Sequence, residues 1–123
     1  MNQSYKGFTG DKNPELEVNH SYRSAVLKTW NGSTGKAALT NAALGLTGEA
    51  GEVADLVKKH VYHSHELDRT KMITELGDVL FYAEILMNEL NVTRHEVEKK
   101  NIEKLAARYP SGFNSQDSIN RKE

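Results

Sequence analysis

The sequence predicts an all-α protein whose protomer is a four-helix bundle. Apolar residues recur at helical spacings throughout the stretch between the two prolines, Pro14 and Pro110. No segment of useful length alternates with period two, as a half-buried strand would. The 123 residues are the length of one domain. We therefore expect residues 1–123 to form a single all-α domain, with a polar arm over about residues 1–14 and a polar tail over about residues 111–123.

The first two helices are separated by a loop of turn-forming residues. The first helix is predicted over about residues 15–30, and Asn-Gly-Ser-Thr-Gly at 31–35 forms the loop. The second helix is predicted over about residues 36–60, where apolar side chains step by four and three along a bundle seam. That seam consists of Leu39, Ala43, Leu46, Ala50, Val53 and Val57. Gly45, Gly48 and Gly51 inside this helix favour close helix packing or room for a ligand, since each costs up to about 1 kcal/mol relative to Ala.

The third helix, predicted over about residues 69–90, is apolar on two sides. One stripe consists of Ile73, Leu76, Leu80, Ala83, Met87 and Leu90, and Phe81, Tyr82 and Ile85 cover the other side. A helix that is apolar on both sides is packed on both sides. We therefore expect this to be the central helix.

The fourth helix has a well-marked beginning and end. Thr93 is a favourable N-cap, and Glu96 three residues later completes a capping box. The helix continues to Tyr109, and Pro110 ends it because proline cannot continue a helix.

Composition excludes several classes of function. Sixteen basic residues oppose 17 acidic ones, so the net charge of −1 does not indicate binding to nucleic acid or to an anionic membrane. The absence of cysteine excludes disulfides, thiolate catalysis and Cys-ligated metals. The longest apolar run, residues 79–83, is far short of the ~20 residues that span a bilayer. Because the N-terminal residues also contain no secretory signal, we expect a cytoplasmic protein.

Two acidic pairs are the strongest candidates for a functional site. Glu49 and Glu52 lie on the second helix, and Glu75 and Asp78 lie on the third. Because each pair is spaced i, i+3, both of its carboxylates project from one side of their helix. These sides are partly apolar, where an isolated ionised carboxylate is disfavoured and neighbouring pairs repel. A hard divalent cation such as Mg²⁺ resolves both problems.

The competing interpretation is that these acids are solvated. In that case they would form ion pairs with Lys58, Lys59 or Lys71 and would bind no metal. Two matched pairs on two apolar helices favour the metal interpretation, because facing helices of bundles build metal sites in this way. Gly51 and Gly77, each next to an acid, would leave room for water and phosphate oxygens.

The arrangement E-x-x-E followed by E-x-x-D resembles the metal-binding signature of the MazG-like, all-α nucleotide pyrophosphohydrolases. The surrounding segments ALGLTGEAGEVADLVKK and ELGDVLFY are similar to that family's second and third helices. NIEKLAARYPSGF, residues 101–113, resembles its last helix. The resemblance covers about residues 37–113, and its motifs are specific as a set.

The resemblance implies Mg²⁺-dependent cleavage of a nucleoside triphosphate between its α- and β-phosphates, with Mn²⁺ as a possible substitute. The products would be a nucleoside monophosphate and pyrophosphate, and the role could be cleansing of the nucleotide pool. Glu49, Glu52, Glu75 and Asp78 would hold the metal and carry catalysis, one glutamate serving as the base of an attacking water. Which glutamate does so stays open. The resemblance also implies a homodimer or homotetramer with the site near the subunit interface.

Substrate-binding residues are expected on the fourth helix and near the first loop. A triphosphate carries about four negative charges, so cations beyond the metal are needed. The resemblance places Asn101 and Lys104 near the phosphates, with Arg108 and Tyr109 in support. Trp30 and Asn41 are candidates for recognition of the base, although ordinary core packing competes as an explanation of Trp30.

Three other interpretations stay open. A dUTPase-like or phosphoribosyl-ATP pyrophosphohydrolase-like enzyme would use the same acids on another substrate. A non-catalytic helical interaction module would keep the bundle without turnover. His60, His63 and His65 permit a transition-metal site, although solvated loop histidines are the commoner explanation. No Gly-rich phosphate-binding loop is present, so nucleotide binding by such a cradle is not expected.

Overall fold

The structure, a computed structural model, describes the backbone of residues 14–121 and the side chains of residues 22–121. This part contains five helices and no named strand, so the predicted all-α class is confirmed. The helices are α1 (Pro14–Thr29), α2 (Gly35–Tyr62), α3 (Arg69–Glu89), α4 (Arg94–Arg108) and α5 (Ser115–Ile119). The predicted N-terminal arm lies outside the described residues except for Pro14, where α1 begins. None of the described helices is both long and apolar enough to cross a membrane.

The chain divides into two compact units between Leu90 and Asn91. In the first unit, α3 packs against both α1 and α2, which confirms the prediction that the third helix is central there. Val26, Ala42 and Ile85 are buried at the centre, and partly buried side chains pack around them: Tyr22, Trp30, Phe81, Tyr82 and Leu86. The four-helix bundle itself stays a prediction, because α4 belongs to the second unit.

The predicted seam of α2 is wrong in part, because Leu46 and Val53 are partly buried but the other four seam residues are exposed. Ala38 and Ala42 are the buried residues, whereas Leu39 and Val57 on the predicted seam are 39% and 44% exposed. Gly45 contacts the ring of Tyr82 on α3. The first turns of the contacting line therefore consist of the small residues Ala38, Ala42 and Gly45, which let the two helix backbones approach closely around a large aromatic side chain. Spacing alone did not distinguish the two lines, since both repeat with helical period.

One predicted stripe of α3 is buried or partly buried, and the other is exposed at four of its six positions. Ile85 is 2% exposed, and Phe81 and Tyr82 are partly buried. On the other stripe, Ile73 is 59% exposed and Leu76 is 47% exposed. Helix α3 thus presents an apolar surface that the described chain does not cover.

A buried ion pair joins α1 to α3 in the first unit. Arg23 donates from both Nε and Nη2 to Oε2 of Glu84, at 2.8 and 2.7 Å. Glu84 is only 5% exposed. A buried carboxylate is costly unless it is paired, so this contact determines how α1 aligns with α3. Sequence reasoning did not identify Glu84, because its surroundings are set by the packing of α1.

We expect Arg23→Met to lower the free energy of unfolding by about 2–3 kcal/mol. Breaking a buried pair costs about 3–5 kcal/mol, and the partial exposure of Arg23 reduces that penalty. Chemical denaturation followed by circular dichroism measures it. The matched control is Arg94→Met, which removes an exposed i, i+4 pair with Glu98 and should cost less than about 0.5 kcal/mol. Equal losses in the two variants would contradict a structural role for the Arg23–Glu84 pair.

The second unit begins with the predicted capping box. The Glu96 amide donates to Thr93 Oγ1 at 3.2 Å, and the Thr93 amide donates to Glu96 Oε2 at 2.6 Å. Two backbone donors that a helix start leaves unsatisfied are thereby paired. Helix α4 ends at Arg108, immediately before Tyr109 and the predicted stop at Pro110. The predicted limits of the fourth helix are confirmed.

The predicted polar tail is in part helical. Gly112, at φ +86°, turns the chain after α4, and Asn114 caps α5 by accepting from the Asp117 amide at 2.7 Å. The ring of Phe113 lies 5.4 Å from that of Tyr109. This short helix was missed because five residues contain too little apolar periodicity to reveal one, although the Asn cap was a usable signal.

Candidate metal centre

Three of the four predicted acids converge between α2 and α3. Carboxylate oxygens of Glu49, Glu75 and Asp78 lie within 4.8 Å of one another. Glu49 comes from the line of α2 that contacts α3, and the other two are one turn apart on α3. Glu49 and Glu75 are partly buried, while Asp78 is exposed. The group of three carboxylates therefore lies at the edge of the α2–α3 interface, with Asp78 on its solvent-exposed side.

No basic side chain neutralises this group among residues 22–121. Lys58 and Lys59 both pair with Asp55, at 3.2 and 2.6 Å, and neither forms an ion pair with Glu49, Glu75 or Asp78. Lys59 also interacts electrostatically with Glu52, which lies outside the converged group. The ion pairs expected for solvated acids on this face are thus absent from the described part of the chain. Three neighbouring carboxylates without a basic partner have the donor chemistry that a hard divalent cation requires.

Glu52 is not part of the converged group. It lies on α2 one turn beyond Glu49 and is exposed. The negative charge of Glu52 nevertheless repels that of Glu49 and contributes to the raised pKa of Glu49. The structure thus brings together three of the predicted residues and leaves the fourth beside them.

The pKa of Glu49 is raised above the usual value for glutamate. Desolvation is the largest cause, followed by repulsion from Asp78, Glu75 and Glu52. All four causes disfavour the ionised carboxylate, and a bound cation would relieve the three that are repulsive. The ionised form of Glu49 is therefore disfavoured in the metal-free protein.

We expect Glu49→Gln to raise the melting temperature of the metal-free protein at pH 7 and to leave it nearly unchanged near pH 4. A glutamate whose pKa is raised on folding binds more protons in the folded than in the unfolded state. The free energy of unfolding therefore falls as pH rises from the usual value of 4.5 through the folded pKa. Because glutamine carries no charge, the free energy of unfolding of the variant should not fall in this way as pH rises.

Thermal melts in EDTA between pH 4 and pH 7.5 measure this effect. The control is Glu66→Gln, which changes an exposed glutamate in the loop after α2. It should shift the melting temperature little at any pH. If Glu49→Gln raises the melting temperature equally at pH 4 and pH 7, electrostatic repulsion is not the cause of the increase.

The glycines near the group serve two different purposes. A Cβ on Gly45 would overlap the ring of Tyr82, whereas Gly48, Gly51 and Gly77 have no atom within 4 Å of that position. Gly45 thus permits close packing, one turn before Glu49. The other three have open space at that position, and the room predicted beside the acids at Gly51 and Gly77 stays a prediction. Helix α2 continues through all of its glycines from Gly35 to Tyr62.

The predicted phosphate-binding residues all belong to the second unit. Lys104 and Arg108 line a common groove of that unit. Asn101 is exposed on α4, and Tyr109 packs against Phe113. Their roles toward a substrate stay predictions.

The candidates for base recognition lie in the first unit. Trp30 packs against the core, with its ring 6.3 Å from that of Phe81, and its Nε1 donates to the Ser33 carbonyl oxygen at 2.9 Å. Asn41 is exposed on α2. Trp30 thus has the core-packing role that was the alternative explanation for it. Asn41 is accessible to a ligand.

The histidines of the loop after α2 do not form a metal site. His60 Nδ1 lies 2.8 Å from the carbonyl oxygen of His65, and the rings of His63 and His65 are 6.5 Å apart. Within the residues that the structure describes, the acidic group is the only set of three potential ligands that converges. The transition-metal interpretation is therefore not supported.

Comparisons with known proteins identify a family for the stretch that carries these acids. Residues 38–113 match the family model of the MazG nucleotide pyrophosphohydrolase domain. Gene 37 protein of Mycobacterium phage L5 is 36% identical over 87 residues, which span 68% of this chain and 76% of the phage protein. No solved structure matches significantly. All four candidate acids lie within the matched stretch.

Proposed function

The chain belongs to the MazG nucleotide pyrophosphohydrolase family, and on that premise we propose that it hydrolyses nucleoside triphosphates with Mg²⁺. The bond cleaved is the anhydride between the α- and β-phosphates, and the products are a nucleoside monophosphate and pyrophosphate. The observation that carries this proposal is the convergence of Glu49, Glu75 and Asp78 without a basic partner in the described chain.

In the proposed reaction, the three converged carboxylates hold Mg²⁺ between α2 and α3. The ion, when bound, supplies charge neutralisation on the phosphates and lowers the pKa of water.

We assign the general base to Glu52. Its carboxylate lies outside the converged group, so it is not consumed in holding the ion. It is one turn from Glu49 on the same helix and is exposed, which leaves it accessible to water. A base placed beside the ligands and not among them can accept the proton of the attacking water.

The phosphates of the substrate require further positive charge. Lys104 and Arg108 on α4 are proposed to supply it, with Asn101 and Tyr109 in support, and Asn41 is proposed to contact the base. Trp30, which packs on Phe81, is the other candidate for contact with the base. Mn²⁺ is proposed to substitute for Mg²⁺, because both ions accept carboxylate oxygens.

We also propose that the protein assembles into a homodimer or homotetramer. Support comes from the apolar surface of the first unit, where Leu39, Val57, Ile73, Leu76 and Leu80 are all at least 39% exposed. Several such side chains on neighbouring helices are typical of a surface covered by another chain.

Leu76→Glu should convert the assembly to a monomer, as measured by size-exclusion chromatography with light scattering. The matched control is Leu44→Glu, which changes an exposed leucine outside that set. A monomeric parent protein, or an unchanged mass for Leu76→Glu, would contradict the proposed interface.

The test of the proposed reaction is analysis of phosphate products. The purified protein is incubated with each ribo- and deoxyribonucleoside triphosphate, with and without Mg²⁺. We expect metal-dependent release of pyrophosphate and monophosphate in equal amounts. Release of single orthophosphates would place cleavage at the outer anhydride and overturn the proposal. No release with any nucleotide and either Mg²⁺ or Mn²⁺ would favour a non-catalytic helical module.

The same panel identifies the substrate. Activity restricted to dUTP, or to phosphoribosyl-ATP added to the panel, would assign one of the related activities that use the same acids. A preference for modified nucleotides over the common ones would support cleansing of the nucleotide pool.

A further inference from the structure

The beginning of α2 is hydrogen-bonded to the end of α3. The backbone amide of Gly35, the first residue of α2, donates to Oε1 of Glu89 at 2.5 Å. Glu89 is the last residue of α3, about three turns beyond Asp78. This contact therefore joins the two helices that carry the candidate metal centre, at a place well away from the metal centre itself.

Helix α2 differs from α3 and α4 in how its first turn finds an acceptor. The first amides of a helix have no partner inside the helix and need an acceptor from outside it. Asp68 before α3 and Thr93 before α4 each supply one, whereas the side chain of Thr34 before α2 accepts no such bond in the described chain. Glu89 supplies it, and its negative charge suits the positive end of the helix dipole. The acceptor for α2 thus comes from the helix on which it packs.

The contact at Glu89 lies on the same helix interface as the metal centre. Three pairs of residues approach one another in order along α2 and in reverse order along α3: Gly35 with Glu89, Gly45 with Tyr82, and Glu49 with Asp78. The two helices are therefore antiparallel. At about 1.5 Å per residue, Gly45 lies about 15 Å from the start of α2 and about 6 Å from Glu49.

The hydrogen bond to Glu89 limits how far α2 can tilt about its contact with Tyr82. The buried residues of α2 are two alanines, and apolar contacts have no preferred direction. A hydrogen bond to a carboxylate is directional and charge-assisted. Because the metal centre and the start of α2 lie on opposite sides of Gly45, release of that start would let α2 tilt and would move Glu49 relative to α3.

We propose that Glu89 is a positioning residue for the metal centre. Its carboxylate holds the first residue of α2 against the end of α3, and it thereby sets the distance between Glu49 and the two acids of α3. Glu89 lies outside the converged group and is not a ligand of the ion. The inference rests on the proposed function only as far as the ion, because it requires a divalent cation to bind but does not require hydrolysis.

Mn²⁺ affinity of the full-length protein, measured by electron paramagnetic resonance, tests this role. Glu89→Ala should weaken Mn²⁺ binding roughly tenfold, the lower end of the effect of losing an outer support of a metal site. Glu89→Gln keeps a side-chain oxygen of the same reach that can accept from the Gly35 amide, so its affinity should stay within about threefold of the parent's.

The matched control is Asp68→Ala. Asp68 also accepts from a backbone amide in the first turn of a helix, at 2.8 Å from the nitrogen of Lys71, but that bond lies within one turn and joins no second helix. Asp68→Ala should lower the melting temperature as the loss of a cap does, and should leave Mn²⁺ affinity within about twofold of the parent's.

Three results would overturn the role of Glu89. Unchanged Mn²⁺ affinity in Glu89→Ala would show that the contact does not position the carboxylates. Equal losses in Glu89→Ala and Asp68→Ala would show that only the stability of the helices matters. Equal losses in Glu89→Ala and Glu89→Gln would show that the negative charge acts on the ion from a distance, without the hydrogen bond.

A double-mutant cycle tests whether Glu89 acts through Glu49. Glu49→Gln removes the carboxylate that α2 contributes to the group, so the tilt of α2 should then matter little to the ion. Adding Glu89→Ala to that variant should change Mn²⁺ affinity by no more than about twofold, because the two changes are coupled. A further loss as large as that of Glu89→Ala alone would show independent effects and would overturn the inference.

Turnover separates this inference from the proposed function. Mn²⁺ affinity that depends on Glu89 in a protein that hydrolyses no nucleoside triphosphate would support the positioning role and overturn the hydrolase. Metal-dependent pyrophosphate release with Mn²⁺ affinity that is unchanged in Glu89→Ala would do the reverse. A parent protein that binds neither Mn²⁺ nor Mg²⁺ would overturn both.

Discussion

Asp78→Asn is expected to abolish both Mg²⁺ binding and turnover, whereas Glu52→Gln is expected to abolish turnover alone. Asp78 belongs to the converged group, and Glu52 stands outside it. Removal of a charged ligand should weaken metal binding by at least about 10–100-fold, since even outer-shell partners contribute that much. Loss of a general base costs about 10²–10⁴-fold in kcat without a matching loss of affinity for the ion.

Two measurements on each variant separate these roles. Pyrophosphate release gives kcat, and the rise in melting temperature with millimolar Mg²⁺ reports binding of the ion to the folded state. The parent protein and Glu52→Gln should both be stabilised by Mg²⁺, and Asp78→Asn should not. If Glu52→Gln also loses the Mg²⁺-dependent stabilisation, Glu52 is a metal ligand and not the base. Near-normal turnover in either variant would remove that residue from the mechanism.

Gly45→Ala is expected to damage the metal centre without touching a ligand. The new Cβ would overlap the ring of Tyr82, one turn from Glu49 on α2 and one turn from Asp78 on α3. Displacing that ring separates the helices that bring the carboxylates together. Overpacking of this kind costs about 1–3 kcal/mol, which exceeds the ~1 kcal/mol that alanine adds to a helix. Affinity for Mn²⁺, measured by electron paramagnetic resonance, should fall roughly tenfold, the effect of about 1.4 kcal/mol.

The control for Gly45→Ala is available in the same helix. Gly48→Ala makes the identical change where nothing lies within 4 Å of the new Cβ. It should raise the free energy of unfolding by up to about 1 kcal/mol and leave Mn²⁺ affinity intact. Gly45→Ala should then lower the free energy of unfolding, whereas Gly48→Ala should raise it. Identical behaviour of the two variants would show that the Tyr82 ring moves aside freely and does not position the carboxylates.

Much of the fold could be predicted from local patterns. The helices, the capping box of Thr93 and Glu96 and the end of α4 before Pro110 depend on residues close together in the chain. Such contacts depend on local chemistry, which a linear sequence displays directly. The short helix α5 escaped prediction because its five residues contain too few apolar positions to repeat.

The residue types of the candidate site could be predicted from the sequence, but their arrangement in space could be predicted only in part. Spacing placed Glu75 and Asp78 on one side of their helix, and the pattern of acids pointed to a cation. Whether Glu49 or Glu52 would join them depends on how α2 is rotated about its axis. That rotation follows from the contact between Gly45 and Tyr82. These residues are 37 positions apart, so their contact produces no repeating pattern in the sequence.

Residue identity at short or fixed spacing is enough to predict the set of helices, the acidic chemistry of the site and the family. Only the folded chain shows which line of α2 contacts α3, that Glu84 is buried against Arg23, and that Arg121 and Arg108 line one groove. These three outcomes depend on packing between distant segments. Side-chain volume and burial select one arrangement there from several that the helical period permits equally well.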